Sequence, residues 1–336
     1  MIVDFHNHYF PPEYLNSLEH GRTVVWTEYD AQGRHQLMMK GFENELAPAH
    51  SNLAARIEAM DAAGVDLSVL TMTIPGVHVE PGAGGVRQAQ IINDAFAGAM
   101  AAYPGRFTAL AVLPLHEPAA AVRELRRAVT ELGLRGGTLY SHINGQQLDH
   151  PDFYPIYEEA INLGVPLWMH PTVPQQPGAM ADFGIVVVAG FLHETTVAVC
   201  RLLYGGVMER YPDLQLVLSQ MGGTIPFIAE RVERGYHVYP HAYKFARSPL
   251  EQLKTLYADT TPHTPWAIEV ATRFLGEDKI LMGSDFPHTI GDLPGALATI
   301  RGLPFSDEVK AKIMGGSALK LLGLKADAFG STPANE

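Results

Sequence analysis

Apolar runs recur along this chain at fairly even intervals. Eight of them read as buried strands: Ile2–Phe5, Leu67–Met72, Phe107–Leu113, Gly137–Tyr140, Pro166–Met169, Leu214–Ser219, Leu256–Ala258 and Ile280–Gly283. Short, nearly continuous apolar runs are what strands covered on both faces require. Between most of them the period lengthens to that of a helix. Asn52–Ala63 puts Leu53, Ile57 and Met60 on one face and stops at Gly64; Ala119–Leu132 does the same with Val122, Leu125, Val129 and Leu132 and stops at Gly133. Gln88–Tyr103, Phe153–Leu163, Glu194–Arg210, Ile225–Val238 and Trp266–Leu275 fill the other intervals. Strand and helix in alternation predict an α/β protein, a (β/α)8 TIM barrel with a parallel sheet at its centre.

One interval breaks the rhythm. The segment from about residue 9 to 51 lacks helical period but holds Val24-Val25-Trp26 and Leu37-Met38-Met39 in short β-like runs. A structureless loop of that length is uncommon inside a compact domain. It is expected to be a small β excursion over the mouth of a single barrel domain spanning 1–324. The Pro-rich connection from Pro171 to Gly190 leaves the same rim and should form another wall. Residues 325–336, with Gly330 and Pro333 and no period, read as a frayed tail.

The polar residues at the strand ends suggest chemistry. Ile2–Phe5 runs into His6-Asn7-His8, Val165–Met169 into His170, and Ile280–Ser284 into Asp285. All strands of such a barrel end at one face, so these side chains can converge there. His6 and His8, two apart on a strand, point to the same side. Imidazoles with one carboxylate are what a catalytic divalent metal needs. Asp285 could instead cap a helix, but a carboxylate ending an apolar strand is costly without a cation. Gln220 ends the sixth strand before Gly222-Gly223; it can orient a ligand but cannot move a proton near neutrality. His142, His263 and His288 follow strands four, seven and eight and are candidates to line a pocket. Arg231 and Lys40, read from the pattern alone, are solvated or ion-paired residues.

Composition narrows the partners. The 336 residues are 47% hydrophobic, enough for a large core. The formal net charge of -12, without a Lys/Arg run, argues against nucleic acid or an anionic membrane surface. The longest apolar stretch, from Gly184 to Leu192, is too short to span a bilayer. Cys200 is the single cysteine, so no intrachain disulfide forms, and a reduced, cytoplasmic setting is expected.

The segments Asp4-Phe5-His6-Asn7-His8, Met169-His170-Pro171 and Gly283-Ser284-Asp285-Phe286-Pro287 resemble those of the amidohydrolase-related decarboxylases. So do Glu194–Cys200, Gly205–Pro212 and Tyr103–Phe107. The resemblance implies a distorted barrel holding one divalent metal, zinc or sometimes manganese, on His6, His8, His170 and Asp285. It implies that Arg231 binds a substrate carboxylate, often across a homodimer interface, and that Lys40 lies near a second carboxylate-binding position. The family carries a histidine where this chain has Gln220. The implied activity is non-oxidative decarboxylation of a small aromatic or conjugated carboxylic acid, with Asp285 protonating carbon. A hydrolase or hydratase of the same fold, or a metal-binding protein without turnover, are the other readings the residues leave open.

Overall fold

The computed structural model describes residues 1–40, 42–239, 244–261 and 264–325. The tail from 326 onward and His263 therefore lie outside the described residues.

All eight expected staves form. In chain order the strands are β1 (Val3–Asp4), its continuation β2 (His6–Asn7), the excursion strands β3 (Trp26–Tyr29), β4 (His35–Met39) and β5 (Phe42–Glu45), then β6 (Leu67–Leu70), β7 (Phe107–Ala109) and β8 (Gly137–Tyr140). A small hairpin, β9 (His142–Ile143) and β10 (Gln146–Gln147), precedes β11 (Leu167–His170), β12 (Leu216–Leu218), β13 (Tyr257–Asp259), β14 (Ile280–Leu281) and its continuation β15 (Gly283–Phe286). The staves pair in parallel as β1-β6-β7 and β8-β11-β12-β13-β14. Two seams join these arcs into the (β/α)8 ring. At one, Ala111 bridges Gly137; at the other, β15 pairs with β2 and Phe5 N–H donates to the Met282 carbonyl.

The helices lie where the sequence period puts them, with local chemistry fixing their ends. Asn52 caps Leu53–Ala63 by accepting from the Ala54 and Ala55 amides, and Gly64 ends it at φ 76°. The single helix expected over Glu194–Arg210 is two, Phe191–Tyr204 and Val207–Arg210, because Gly206 at φ 83° breaks it. The apolar run expected to stop at Leu192 continues as one helical stretch from Val186 to Tyr204, 19 residues long and by length and composition enough to cross a membrane. Its Ala198, Val199, Leu202 and Leu203 pack into the core.

The excursion is a three-stranded antiparallel sheet, β3-β4-β5. Val25 and Leu37 are fully buried within the main hydrophobic cluster, so this sheet is anchored in the body rather than resting on it. A second cluster, with Phe5, Leu67, Leu110, Trp168, Val217 and Leu281, packs beside the site, the Trp168 ring lying 4.8 Å from that of His6.

Candidate metal centre and active site

The ends of β2, β11 and β15 bring four side chains to one point. His6 Nε2 lies 3.1 Å from His8 Nε2, His8 Nε2 lies 2.9 Å from Asp285 Oδ1, and His6 Nε2 lies 3.6 Å from the same oxygen. One ring nitrogen each from His6, His8 and His170 fall within 4.8 Å of one another; so do ligand atoms of His8, Asp285 and His288. All three imidazoles and the carboxylate are buried.

Backbone shape aims these groups. Between Gly283, paired with His6, and Phe286, paired with Asn7, the register slips, and Asp285 takes φ 60°. Such a bulge turns a side chain that regular pleating would send elsewhere. Gly283 must be glycine, since a Cβ there would sit 2.6 Å from the His6 Cβ.

Surrounding groups fix the rings. His6 Nδ1–H donates to Asp259 Oδ2 at 2.8 Å, and His170 Nδ1–H donates to the Pro171 carbonyl at 2.7 Å, which leaves the Nε2 of each ring as its ligating atom, that of His170 lying 3.1 Å from Thr73 Oγ1. Trp168 Nε1–H reaches the same Asp259 oxygen at 3.3 Å, while Asp259 Oδ1 accepts from the Gln220 and Thr261 amides. The Arg56 guanidinium, fully buried between the Tyr9 and Phe286 rings, donates to Asn7 Oδ1 and the His8 carbonyl and so holds the His-x-His backbone.

The electrostatics suit a cation. Burial lowers His170 to about 3, with His6 adding to the effect, so the ring is a neutral ligand. Burial also lowers His8 well below the ordinary histidine range, and His288 lowers it further. Burial would lower His6 too, but the Asp259, Asp285 and Asp4 carboxylates, Asp259 foremost, together raise it. Asp285 is pushed up by burial, yet the His8 hydrogen bond and the charge of His6 and His8 bring it well below the carboxylate range. Buried imidazole nitrogens 3.1 Å apart beside an ionised carboxylate form a donor set that a divalent cation fits.

Above this point lies a cavity of about 400 Å³, the size for one small ligand. Its walls are largely apolar: Phe42 from β5, Ile74, and Val187, Val188, Phe191 and Leu192 from the Pro-rich connection and the helix after it. His170, Asp285, His288, Gln220, Thr73 and Thr261 form the polar floor, with Glu43, Asn44 and Thr289 also lining the space. Both long connections wall the cavity as expected.

The remaining predicted residues lie elsewhere within this chain. His142 Nε2–H donates to the Val173 carbonyl at 3.2 Å and Nδ1 accepts from the Gly145 amide at 3.1 Å, so it pins the Pro-rich connection instead of lining the cavity. The chain turns away into the β9-β10 hairpin just past β8, which carries His142 off the rim. Lys40 is exposed beyond the end of β4, and the adjoining β5 residues face the cavity in its place. Arg231 is exposed on the helix Ile225–Val238 and does not line the cavity.

Sequence reasoning missed Asp259, whose signal was available: it ends an apolar strand as Asp285 does. It also missed Asn44 and Thr261, which carry no pattern of their own. His288, a candidate from its place past strand eight, does line the cavity; its ring lies 4.6 Å from that of His8 and its Nδ1 lies 3.1 Å from His50 Nε2.

The architecture and site define a metal-binding barrel, and the chain belongs to the amidohydrolase family, whose profile matches residues 3–324. It is 31% identical to a 2-amino-3-carboxymuconate-6-semialdehyde decarboxylase of Dictyostelium discoideum, over 97% of this chain and 93% of that one. Its structure is similar to that of 5-carboxyvanillate decarboxylase from Sphingomonas paucimobilis, with a TM-score of 0.85, 27% identity, and 96% and 99% of the two chains covered. A dihydroxybenzoic acid decarboxylase from Polaromonas sp. JS666, solved with bound manganese and the inhibitor 2-nitroresorcinol, shares the fold at a TM-score of 0.80 and 24% identity, covering 97% of this chain and 98% of that one.

Proposed function

We propose that this chain is a metal-dependent, non-oxidative decarboxylase, a lyase acting on a small aromatic or conjugated carboxylic acid. The observation that carries the reading is the convergence of His6, His8, His170 and Asp285 beneath a largely apolar cavity, in a chain whose relatives are named decarboxylases. Those four residues would hold the ion. Zinc is our first candidate because an imidazole-rich set suits it, and manganese is the second, supported by the Polaromonas structure. A bound divalent ion supplies a positive charge beside the developing carbanion.

The chain's own residues do the rest. Asp259 and the Pro171 carbonyl fix the His6 and His170 tautomers. Apolar walls exclude water, which strengthens every charge interaction inside. Asp285, ionised at rest, would take up a solvent proton and pass it to the carbon that loses CO2, so that a C–H bond replaces the C–C bond. Gln220 cannot supply that proton, because an amide does not titrate near neutrality. The test is CO2 release from a panel of hydroxybenzoates and unsaturated acids by metal-loaded protein. Silence across the panel, with acid release from lactones or amides, would replace the decarboxylase by a hydrolase.

We further propose a homodimer in the cytoplasm. Supporting the dimer, Phe227 and Trp266 are exposed and meet edge to face at 5.8 Å. Arg231 lies one turn beyond Phe227 on the same helix. Sedimentation velocity at micromolar concentration tests this, and a monomer would remove it. The single cysteine, Cys200, supports a reducing compartment, which cell fractionation would check.

A further inference from the structure

A fifth side chain stands beside the four assigned to the ion. His288 follows β15, where the chain doubles back. Its N–H donates to the Asp285 carbonyl at 3.0 Å, its own carbonyl accepts from the Gly291 amide at 2.8 Å, and the Asp292 N–H returns to the Ser284 carbonyl at 3.0 Å. Gly291 must be glycine for this turn, since a Cβ there would run into the Asp285 carbonyl. The turn brings a ligand atom of His288 within 4.8 Å of those of His8 and Asp285, the same limit that holds for His6, His8 and His170. Two nitrogens on one ion stand at most ~4.2 Å apart, twice a bond of ~2.1 Å. Either trio is therefore within ~0.6 Å of closing on an ion, and His8 belongs to both.

The inner nitrogen of His288 is already engaged. Its Nδ1 lies 3.1 Å from Nε2 of His50, a fully buried ring whose centroid is 4.8 Å from its own. Nε2 is then the atom His288 can offer. For Nε2 to present a lone pair, the His288 proton sits on Nδ1 and is donated to His50 Nε2, which puts the His50 proton on Nδ1. That His50 atom has no hydrogen-bond partner among the described residues. Burial lowers His50 to about 2, with His288 and Arg56 adding to the effect, whereas the Ala47 carbonyl favours a proton on the ring and is the acceptor at hand. His50 is placed behind His288 as Asp259 is behind His6: a buried acceptor that selects which nitrogen faces outward.

We propose that His288 Nε2 is a fifth protein ligand of the divalent ion, with His50 as the positioning residue that selects that nitrogen. This rests on the metal centre of the decarboxylase reading. Four imidazoles and one carboxylate make a nitrogen-rich set, which favours zinc over manganese. The test uses protein loaded with spin-active cadmium, a stand-in for zinc, and isotopically labelled at its histidine ring nitrogens. Scalar coupling between the two nuclei marks each imidazole bonded to the ion. The wild type should show coupled rings for His6, His8, His170 and His288, and His288→Phe should lose one of the four while keeping a ring against His8. His288→Asn serves if that variant fails to fold. Chelator competition for Zn2+ should show His288→Phe and His50→Phe each binding at least ~10-fold more weakly, the least that losing an orienting partner costs. His50→Gln, whose amide oxygen can accept the same N–H, should recover part of the loss. Coupling confined to His6, His8 and His170 in the wild type overturns the proposal and leaves the metal centre standing. Equal Zn2+ affinity in the wild type and folded His50→Phe removes the positioning role. No coupled ring at all removes the centre, and the proposal with it. All four rings coupled but no CO2 from any acid removes the decarboxylase reading alone.

Discussion

Asp259 Oδ2 lies 2.8 Å from His6 Nδ1, and both side chains are fully buried. The pair couples β13 to β2 across the interior of the barrel. It fixes which nitrogen of His6 is presented to the metal centre, and it raises the basicity of that ring. Asp259→Asn keeps the shape and an oxygen but loses the charge, and its amide can turn an N–H toward His6. We expect metal affinity to fall by ~10- to 100-fold, the usual range for losing such a partner. Chelator competition measures it. Unchanged affinity would mean that Asp259 serves only the Gln220 and Thr261 amides.

The centre itself is tested by deletion. Changing His6, His170 or Asp285 to Ala should release the divalent ion, read by elemental analysis of purified protein. Asp285→Asn is the sharper variant because it keeps size and one ligating oxygen. It should lower turnover by at least ~10², the scale of a lost general acid, with some metal retained. Near-normal turnover in metal-bound Asp285→Asn would pass the proton to another group. His288, whose ring lies 4.6 Å from that of His8, would be the first to examine.

The barrel was legible in the sequence because alternation of period is a local signal. The pattern placed all eight staves and most helix ends, Asn52 and Gly64 to the residue. The metal-centre candidates were legible because a histidine or aspartate ending an apolar strand is conspicuous. Other features depend on relations that no local window contains. The bulge that turns Asp285 arises from pairing between β15 and β2. The placement of Asn44 in the cavity depends on how the β3-β4-β5 sheet folds over the rim. His142 sat at a strand end like His170, yet the hairpin after β8 carried it away. Arg231 and Lys40 came from resemblance alone, and neither is brought to the cavity by this chain.

The β3-β4-β5 sheet is both lid and core. Deleting residues 23–41 would remove Val25 and Leu37, which are fully buried in the main cluster. That variant should therefore melt as a whole, not leave an intact barrel with poor turnover. Leu37→Ala isolates the effect and should cost ~2–5 kcal/mol, as large-to-small changes in a packed core do. Phe42→Ala, at the cavity wall and only half-buried, should instead weaken ligand binding with little change in melting temperature. Thermal melting and ligand titration on the same two variants separate the roles; a stable Leu37→Ala protein would show that the sheet merely rests on the rim.

His78 gives a pH dependence outside the metal centre. It is buried against Tyr140, with ring centroids 4.6 Å apart, and burial lowers it to about 3, with His142 and His116 adding a smaller effect. Its unfolded value is the ordinary 6.5. A histidine depressed by folding binds its proton more readily in the unfolded chain, so stability is lost as pH falls below about 6.5 and continues to fall toward about 3. From pH 6.5 to 5 the loss from this one group is ~2 kcal/mol. His78→Phe keeps an aromatic ring on Tyr140 and removes the titration. Its urea midpoint should therefore fall less than that of the wild type between pH 7 and 5. Equal falls in the two proteins would mean that the ring accepts a proton in the folded state without cost, and the burial argument for this residue would be lost.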